Sequence, residues 1–209
     1  MSASPETAWI VAPSEELCLD FANTRYWRGT PSPTEQLGSL ADLLGWCGSK
    51  LGLPAGWGRA LEGWGETNSA GAASLFAEAL AEREAIYRLF FACAAGSAPA
   101  PADLTRLNQA LGEAPARRAL ELKGRGFGWR IARLAPSAPL LLTPVLWSAA
   151  DLLAGPRLER LRHCANPHCQ WLFLDDSKSG NRRWCAMSAC GNRAKAHRHY
   201  LRKKALENE

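Results

Sequence analysis

Four cysteines in the last quarter of the 209-residue chain, Cys164, Cys169, Cys185 and Cys190, fall into two matched C-x4-C pairs separated by fifteen residues. Two thiol pairs on two turns supply the tetrahedron of soft ligands that zinc prefers, and a shell of four thiolates is closed, which suits a structural ion better than a catalytic one. The residues between the pairs favour this reading over four unrelated core cysteines. Asn166-Pro167 offers a tight turn inside the first pair. Trp171 and Phe173, then Arg183 and Trp184, alternate like two strands joined by DDSKSGN. Ser188 is placed to cap a final helix over Ala189–Leu206, with Cys190 in its first turn, where backbone N–H groups stabilise a thiolate. Knuckle, hairpin, then a helix carrying the last ligand is the treble-clef layout. His163 and His168 flank the first pair as alternative ligands.

The second candidate is the basic segment that follows. The net charge of +5 is unevenly distributed. Residues 1–156 hold 13 basic against 15 acidic residues, whereas 157–206 hold 12 against 3. Four zinc-bound thiolates would lower the latter from +9 to about +7. At helical spacing Lys195, Arg198, His199 and Arg202 share one face. Ala194, His197, Tyr200, Leu201 and Ala205 lie opposite, where they would pack on the hairpin. Such a stripe suits a phosphate backbone or a major groove, with Arg182, Arg183 and Arg193 as further contacts, so DNA is the expected partner. A solvated tail, or a face for RNA or an acidic protein, is the alternative.

The remaining candidates are weaker. Asn23, Thr24, Arg25 and Arg28, with Trp27 among them, follow a helix end and could hold a small ligand or a protein partner. The reading preferred is that they cap that helix and face solvent. Cys18, Cys47 and Cys93 lie on apolar helix faces and read as core. All four histidines lie at 163 or later, which argues against a Cys–His nucleophile pair in the larger part. GRGFG sits in a hairpin turn and not between strand and helix, so it is no phosphate loop. No enzyme is expected.

The elements that must position these residues follow from patterning. A share of 47% hydrophobic and 22% charged residues is globular. Neither an 18-residue apolar run nor an N-terminal leader pattern is visible, so a cytoplasmic protein away from the membrane is expected, with cysteines serving metal. Helices are expected over 14–24, about 35–48, 72–95 and 103–111, with short helical pieces and turns over 49–71. A hairpin is expected within 119–135, with Trp129, Ile131 and Arg133 continuing its alternation, and a helix near Pro144 ends the larger part. The fold class is α+β: a mostly helical domain with one hairpin over 1–156, then a zinc module over 157–209.

CANPHCQWLFLDDSKSGNRRWCAMSACGNRAKAHRHYLRKK resembles the CGNR zinc finger, through the Asn166-Pro167 turn, Phe173 and Asp175, Arg182-Arg183-Trp184-Cys185, and Cys190-Gly191-Asn192-Arg193 with Lys195. The preceding region is similar to the ABATE domain through Leu19-Asp20-Phe21-Ala22-Asn23-Thr24 and Arg83-Glu84. The resemblance implies a bacterial, stress-linked transcription regulator, in which the finger binds DNA and the N-terminal domain senses a signal or forms a homodimer. Two alternatives stand beside it: a zinc-stabilised interaction module for protein or RNA, and an enzyme anchored by the finger.

Overall fold

The computed structural model describes residues 8–10, 13–51, 55–131 and 136–206. Strand β1 (Ala8–Ile10) precedes helix α1 (Leu17–Ala22) and two very short strands, β2 (Arg25–Tyr26) and β3 (Thr34–Glu35). Four helices follow: α2 (Leu40–Leu51), α3 (Ala55–Thr67), α4 (Ser69–Ala94) and α5 (Pro101–Glu113). Next come β4 (Leu120–Lys123), β5 (Gly126–Ile131), α6 (Ala138–Leu141) and α7 (Thr143–Ala154). The cysteine-bearing segment contributes β6 (Leu161–His163), β7 (Leu172–Leu174), a π-helical turn (Met187–Gly191) and α8 (Asn192–Leu206). The α+β class expected from the sequence is the class observed.

Local signals explain where the helices begin and end. Asn68 caps α4 by accepting the Gly71 N–H at 3.0 Å. Ser39 and Asp42 form a reciprocal box at the start of α2: the Asp42 N–H donates to the Ser39 hydroxyl, and the Gly38 N–H donates to the Asp42 carboxylate. That box moves the start of α2 to Leu40, beyond the expected Glu35. Pro101 opens α5, and Pro144 stands in the first turn of α7, where a missing N–H costs nothing. Residues 55–67 make one helix where short pieces were expected. Its glycines are poor helix formers, but Trp57 and Trp64 rest against the core and hold it.

The hairpin β4–β5 forms as expected, turning at Gly124 with φ +63. It gains a partner that the sequence did not announce, since β1 pairs antiparallel with β5. Its alternation suggested a buried face, yet Leu120, Leu122 and Phe127 are exposed, while Trp129 reaches inward, edge-on to Trp147. Arg133 lies outside the described residues.

One hydrophobic core joins the helices to the cysteine-bearing segment. Leu17, Leu19 and Phe21 of α1, Leu43 and Cys47 of α2, Ile86, Leu89 and Phe90 of α4, and Val145 and Leu146 of α7 share a cluster with Leu161, Leu172 and Leu174 of β6 and β7. Burying a leucine is worth about 1.5–3 kcal/mol, so these three strand leucines bind the C-terminal segment firmly to the helices. Burial also pushes the Cys18 and Cys47 thiols up to about 12, which keeps both protonated and unreactive.

A charged network crosses this core. Arg83 of α4 is 2% exposed and grips both carboxylate oxygens of Glu35 at 2.5 and 2.6 Å. It also donates to Glu84 and to the Thr24 hydroxyl. Glu84 in turn receives Arg28 at 2.6 Å. Burial alone would raise the pKa of Glu35 and of Glu84, but the hydrogen bonds and charge of Arg83 and Arg28 outweigh it and hold both below the usual carboxylate value. A carboxylate whose folded-state pKa is lowered contributes stability that is complete above its unfolded pKa and disappears as the pH falls through the folded value. Acid titration of stability should therefore show a loss beginning below about pH 4.5. In Glu35→Gln that loss should be shallower and the stability at pH 7 lower. Equal slopes in parent and variant would contradict the assignment.

Candidate functional site

The four cysteines converge. The sulfurs of Cys164, Cys169, Cys185 and Cys190 all lie within 4.8 Å of one another, and none is in a disulfide. Cys169 and Cys185 are 3.8 Å apart, which matches the edge of about 3.8 Å of a tetrahedron whose sulfurs stand 2.3 Å from a central zinc. The hydrogen bond between them lowers the pKa of Cys185 and raises that of Cys169, with burial raising both. His163 and His168 take no part. His163 lies against Phe91 with ring centroids 4.9 Å apart, and His168 is exposed beside the Gly29 carbonyl. Zinc fits this donor set, and the four thiols are placed to bind a metal ion.

Backbone geometry builds the cluster. The Cys164 N–H donates to Trp171 O at 2.8 Å, closing the knuckle. Asn166 shapes its tip: its carbonyl accepts the Cys169 N–H, its side-chain oxygen accepts the His168 N–H, and its amide reaches Cys190 Sγ at 3.4 Å. Gln170 leaves the knuckle with φ +56. The strand pairing differs from the expected one. β7 pairs with β6, ahead of the first cysteine, and not with the segment around Arg183 and Trp184. Leu161 and Leu174 face the helical core from the β6–β7 pair, and burying them there outweighs a hairpin through the polar DDSKSGN turn. Cys190 is delivered by the π turn, whose N-cap is Ala186 with no side-chain bond, so Ser188 does not cap.

The helical domain closes over the cluster from the other side. Trp27, with φ +56, packs on the cysteines together with Trp171 and Trp184. The Arg193 guanidinium lies 4.6 Å from the centre of the Trp27 ring. Gly29 approaches the knuckle so closely that a Cβ there would stand 1.8 Å from Pro167 O, so only glycine fits. Neither Trp27 nor Gly29 advertised this role. A Trp-x-Gly inside a Pro- and Ser-rich loop carries no periodic signal.

The four residues expected to hold a ligand are spent on this junction. Asn23 Nδ2 donates to Leu172 O at 2.9 Å, and the Leu172 N–H donates back to Asn23 Oδ1 at 3.1 Å. One side chain thus acts as a strand partner for β7. Thr24 is 1% exposed and bonded to Phe21 O and Arg83. Arg28 lies 3.7 Å over the Tyr87 ring and bonds Ala22 O and Glu84, and Arg25 faces Glu84 at 3.7 Å. None of the four lines the cleft described next.

Between the domain and the finger lies an open cleft of about 970 Å³. Its walls include Trp27, Trp184, Arg183, Arg193, His197 and Arg198. Arg183 sits over Trp184 at 5.5 Å. Arg182 points elsewhere. It lies 4.4 Å over Phe173 and donates to the Trp184 and Cys185 carbonyls, which makes it a tie of the zinc loop. Every residue from Lys195 to Tyr200 is exposed, Tyr200 at 59%. The expected packing of His197 and Tyr200 on a hairpin therefore does not occur, because no hairpin lies beneath α8. Lys195, Arg198 and His199 present themselves to solvent; the side chains of Leu201, Arg202 and Ala205 lie outside the described residues.

Residues 15–156 match the ABATE family, described as "Putative stress-induced transcription regulator". The chain belongs to the ABATE family. Residues 160–203 match the CGNR zinc finger, and the four-cysteine cluster is the centre of that finger. Neither is a family of enzymes. A search of curated proteins finds no match. The ABATE motif residues quoted above acquire physical roles: Asn23 pairs with β7, and Thr24, Arg83 and Glu84 form the buried network. Within CGNR, Cys190 joins the cluster, Gly191 is buried beside Met187 and Trp184, Asn192 bonds Ser188 O, and Arg193 covers Trp27. Among the described residues, no helix of this ABATE chain is long and apolar enough to cross a membrane.

Elemental analysis of purified protein should return close to one zinc per chain. Because the finger shares the ABATE core, Cys185→Ser or chelation should lower the melting temperature of the whole chain and not only of its last forty residues. A chelated protein with unchanged melting would refute a structural zinc. Asn23→Ala should cost about 2–4 kcal/mol, since it strands the buried Leu172 N–H and C=O; chemical denaturation measures this.

Proposed function

We propose that the chain is a zinc-dependent, DNA-binding transcription regulator, with the finger as the DNA-reading part and the ABATE domain as the part that senses a signal or forms a homodimer. The division follows the sequence, 1–156 for the helical domain and 157–209 for the finger. The observation that carries the reading is helix α8. It bears Arg193, Lys195, Arg198, Arg202, Lys203 and Lys204 and no acidic residue, and it stands clear of the protein from Lys195 to Tyr200. A helix with this charge and an exposed stretch from Lys195 to Tyr200 has a surface suited to a polyanion. Zinc held by Cys190 would fix the π turn from which α8 starts, and the ABATE domain steadies Arg193 through Trp27. Arg183 flanks the same surface and Arg182 supports the loop behind it. A regulator of this kind works in the cytoplasm, and a bacterial setting fits the family description.

Neutralising phosphates releases counterions, so log affinity should fall with log salt by about 0.9 per phosphate contacted. Lys195→Ala with Arg198→Ala should reduce that slope by about two units while zinc content stays at one per chain. His199→Ala, which removes neither a lysine nor an arginine, should matter less. Salt-series binding by fluorescence anisotropy on duplex DNA measures both. Equal slopes for the parent and the double variant would remove α8 from the interface. Tight binding to RNA with none to duplex DNA would favour an RNA-interaction module instead.

A further inference from the structure

The cleft between the ABATE domain and the finger has chemistry beyond that of a phosphate track. At about 970 Å³ it is of the size that holds small molecules, far more than a lone phosphate contact needs. Two indoles stand in its walls, one from each part of the protein: Trp27 and Trp184. Each carries a guanidinium over its ring, Arg193 on Trp27 and Arg183 on Trp184. A guanidinium attracted to the face of an indole is held near it while its N–H donors remain able to grip an oxyanion. Arg198 adds a third cation. Among the described residues, none of the three has an ion pair, and no carboxylate lines the cleft. Several arginines outside the cleft differ. Arg28, Arg83, Arg88, Arg106, Arg117 and Arg157 all have carboxylate partners.

We infer that this cleft binds a free mononucleotide, meaning a flat heteroaromatic ring joined to a phosphate monoester. Three unpaired guanidiniums complement a dianion better than a single carboxylate. Stacking on an aromatic wall is worth about 1–3 kcal/mol per base and tolerates any base. The site exists only when domain and finger are docked, because Trp27 and Thr30 come from one and the remaining walls from the other. Occupancy would also engage Arg193 and Arg198 of α8, which couples the cleft to whatever α8 meets. The inference itself does not rest on DNA binding.

The test is isothermal titration calorimetry of adenosine 5′-monophosphate and uridine 5′-monophosphate into the full-length, zinc-loaded protein. Both nucleotides should bind at one site per chain with Kd below about 1 mM, and adenosine and inorganic phosphate should each bind at least about tenfold more weakly. Arg193→Ala should weaken the nucleotides at least about tenfold with zinc stoichiometry intact, and Arg193→Lys should recover part of the loss. Arg193 also rests on Trp27, so the melting temperature is read beside affinity, and Arg193→Lys keeps a cation over that ring. Arg183→Ala gives an independent second arm from the other wall. Absence of nucleotide binding overturns the inference. So does equal affinity for phosphate alone, which reduces the cleft to a general anion site. Binding of a single-stranded oligonucleotide without binding of either mononucleotide overturns it as well, and assigns the cleft to nucleic acid. The salt series on duplex DNA reads the α8 proposal separately, so each can fail alone.

Discussion

The two hydrogen bonds between the Asn23 carboxamide and the backbone of Leu172 hold this protein in its arrangement. β7 has β6 on one edge and would otherwise leave its other edge open inside the core, where an unpaired backbone group costs about 1–3 kcal/mol. A single asparagine at the C-terminal end of α1 supplies both donor and acceptor, 149 residues away in sequence. With that edge closed, Leu161, Leu172 and Leu174 can enter the helical core, and the knuckle is brought under Trp27 and Gly29. The metal centre is therefore assembled by the whole chain. The finger supplies four sulfurs, and the ABATE domain supplies the lid.

The charged network beneath α1 serves the same junction. Arg28 is held over Tyr87, and the Tyr87 hydroxyl donates to Gln170 O at 3.1 Å, just after the last residue of the knuckle. Arg83 and Glu84 fix the loop of β2 and β3 from below, and that loop carries Trp27 and Gly29. A buried ion pair is weak evidence for added stability, but removing one partner leaves an uncompensated charge and costs about 3–5 kcal/mol. The network consequently specifies one position for the loop. Trp27 is kept in a left-handed conformation that tryptophan seldom adopts, and the surrounding packing must offset a strain of about 1–3 kcal/mol.

What the sequence disclosed and what it withheld separate on physical lines. The cysteine cluster was legible because metal ligands are recognised by type and local spacing, and the helices were legible because 3.6-residue periodicity is local. The basic face of α8 was legible as charge, but His197 and Tyr200 of its expected packing face are exposed, since helical spacing cannot say whether anything lies opposite. Asn23, Thr24 and Arg28 read as caps before ligand groups, and neither reading found their true partners, because a polar cluster after a helix looks the same in any of these roles. Only the three-dimensional partner, Leu172, Arg83 or Glu84, decides. The β6–β7 pairing was missed because β6 precedes the first cysteine, and the strand pattern within the finger drew the eye to Arg183 and Trp184. Trp27 and Gly29 were invisible as a pair because their partners, Arg193 and Pro167, are more than a hundred residues distant.

The shared core changes what a signal at either end can do. A finger tethered by a flexible linker would bind metal and polyanion without informing the rest of the chain. Here the π turn that leads into α8 carries Cys190, and Arg193 of α8 rests on a tryptophan of the other domain. A fifteen-residue helix bearing six cations and little packing is marginal alone, since an isolated helix of that length barely offsets its nucleation cost and like charges oppose it further. Its order is borrowed from the junction. Any ligand that binds the docked junction better than the separated one stabilises α8 by the same free energy with which α8 and its partner stabilise the junction, since coupling between sites is reciprocal. The loop carrying Trp27 is therefore the physical point at which metal occupancy, the helical domain and the basic helix meet.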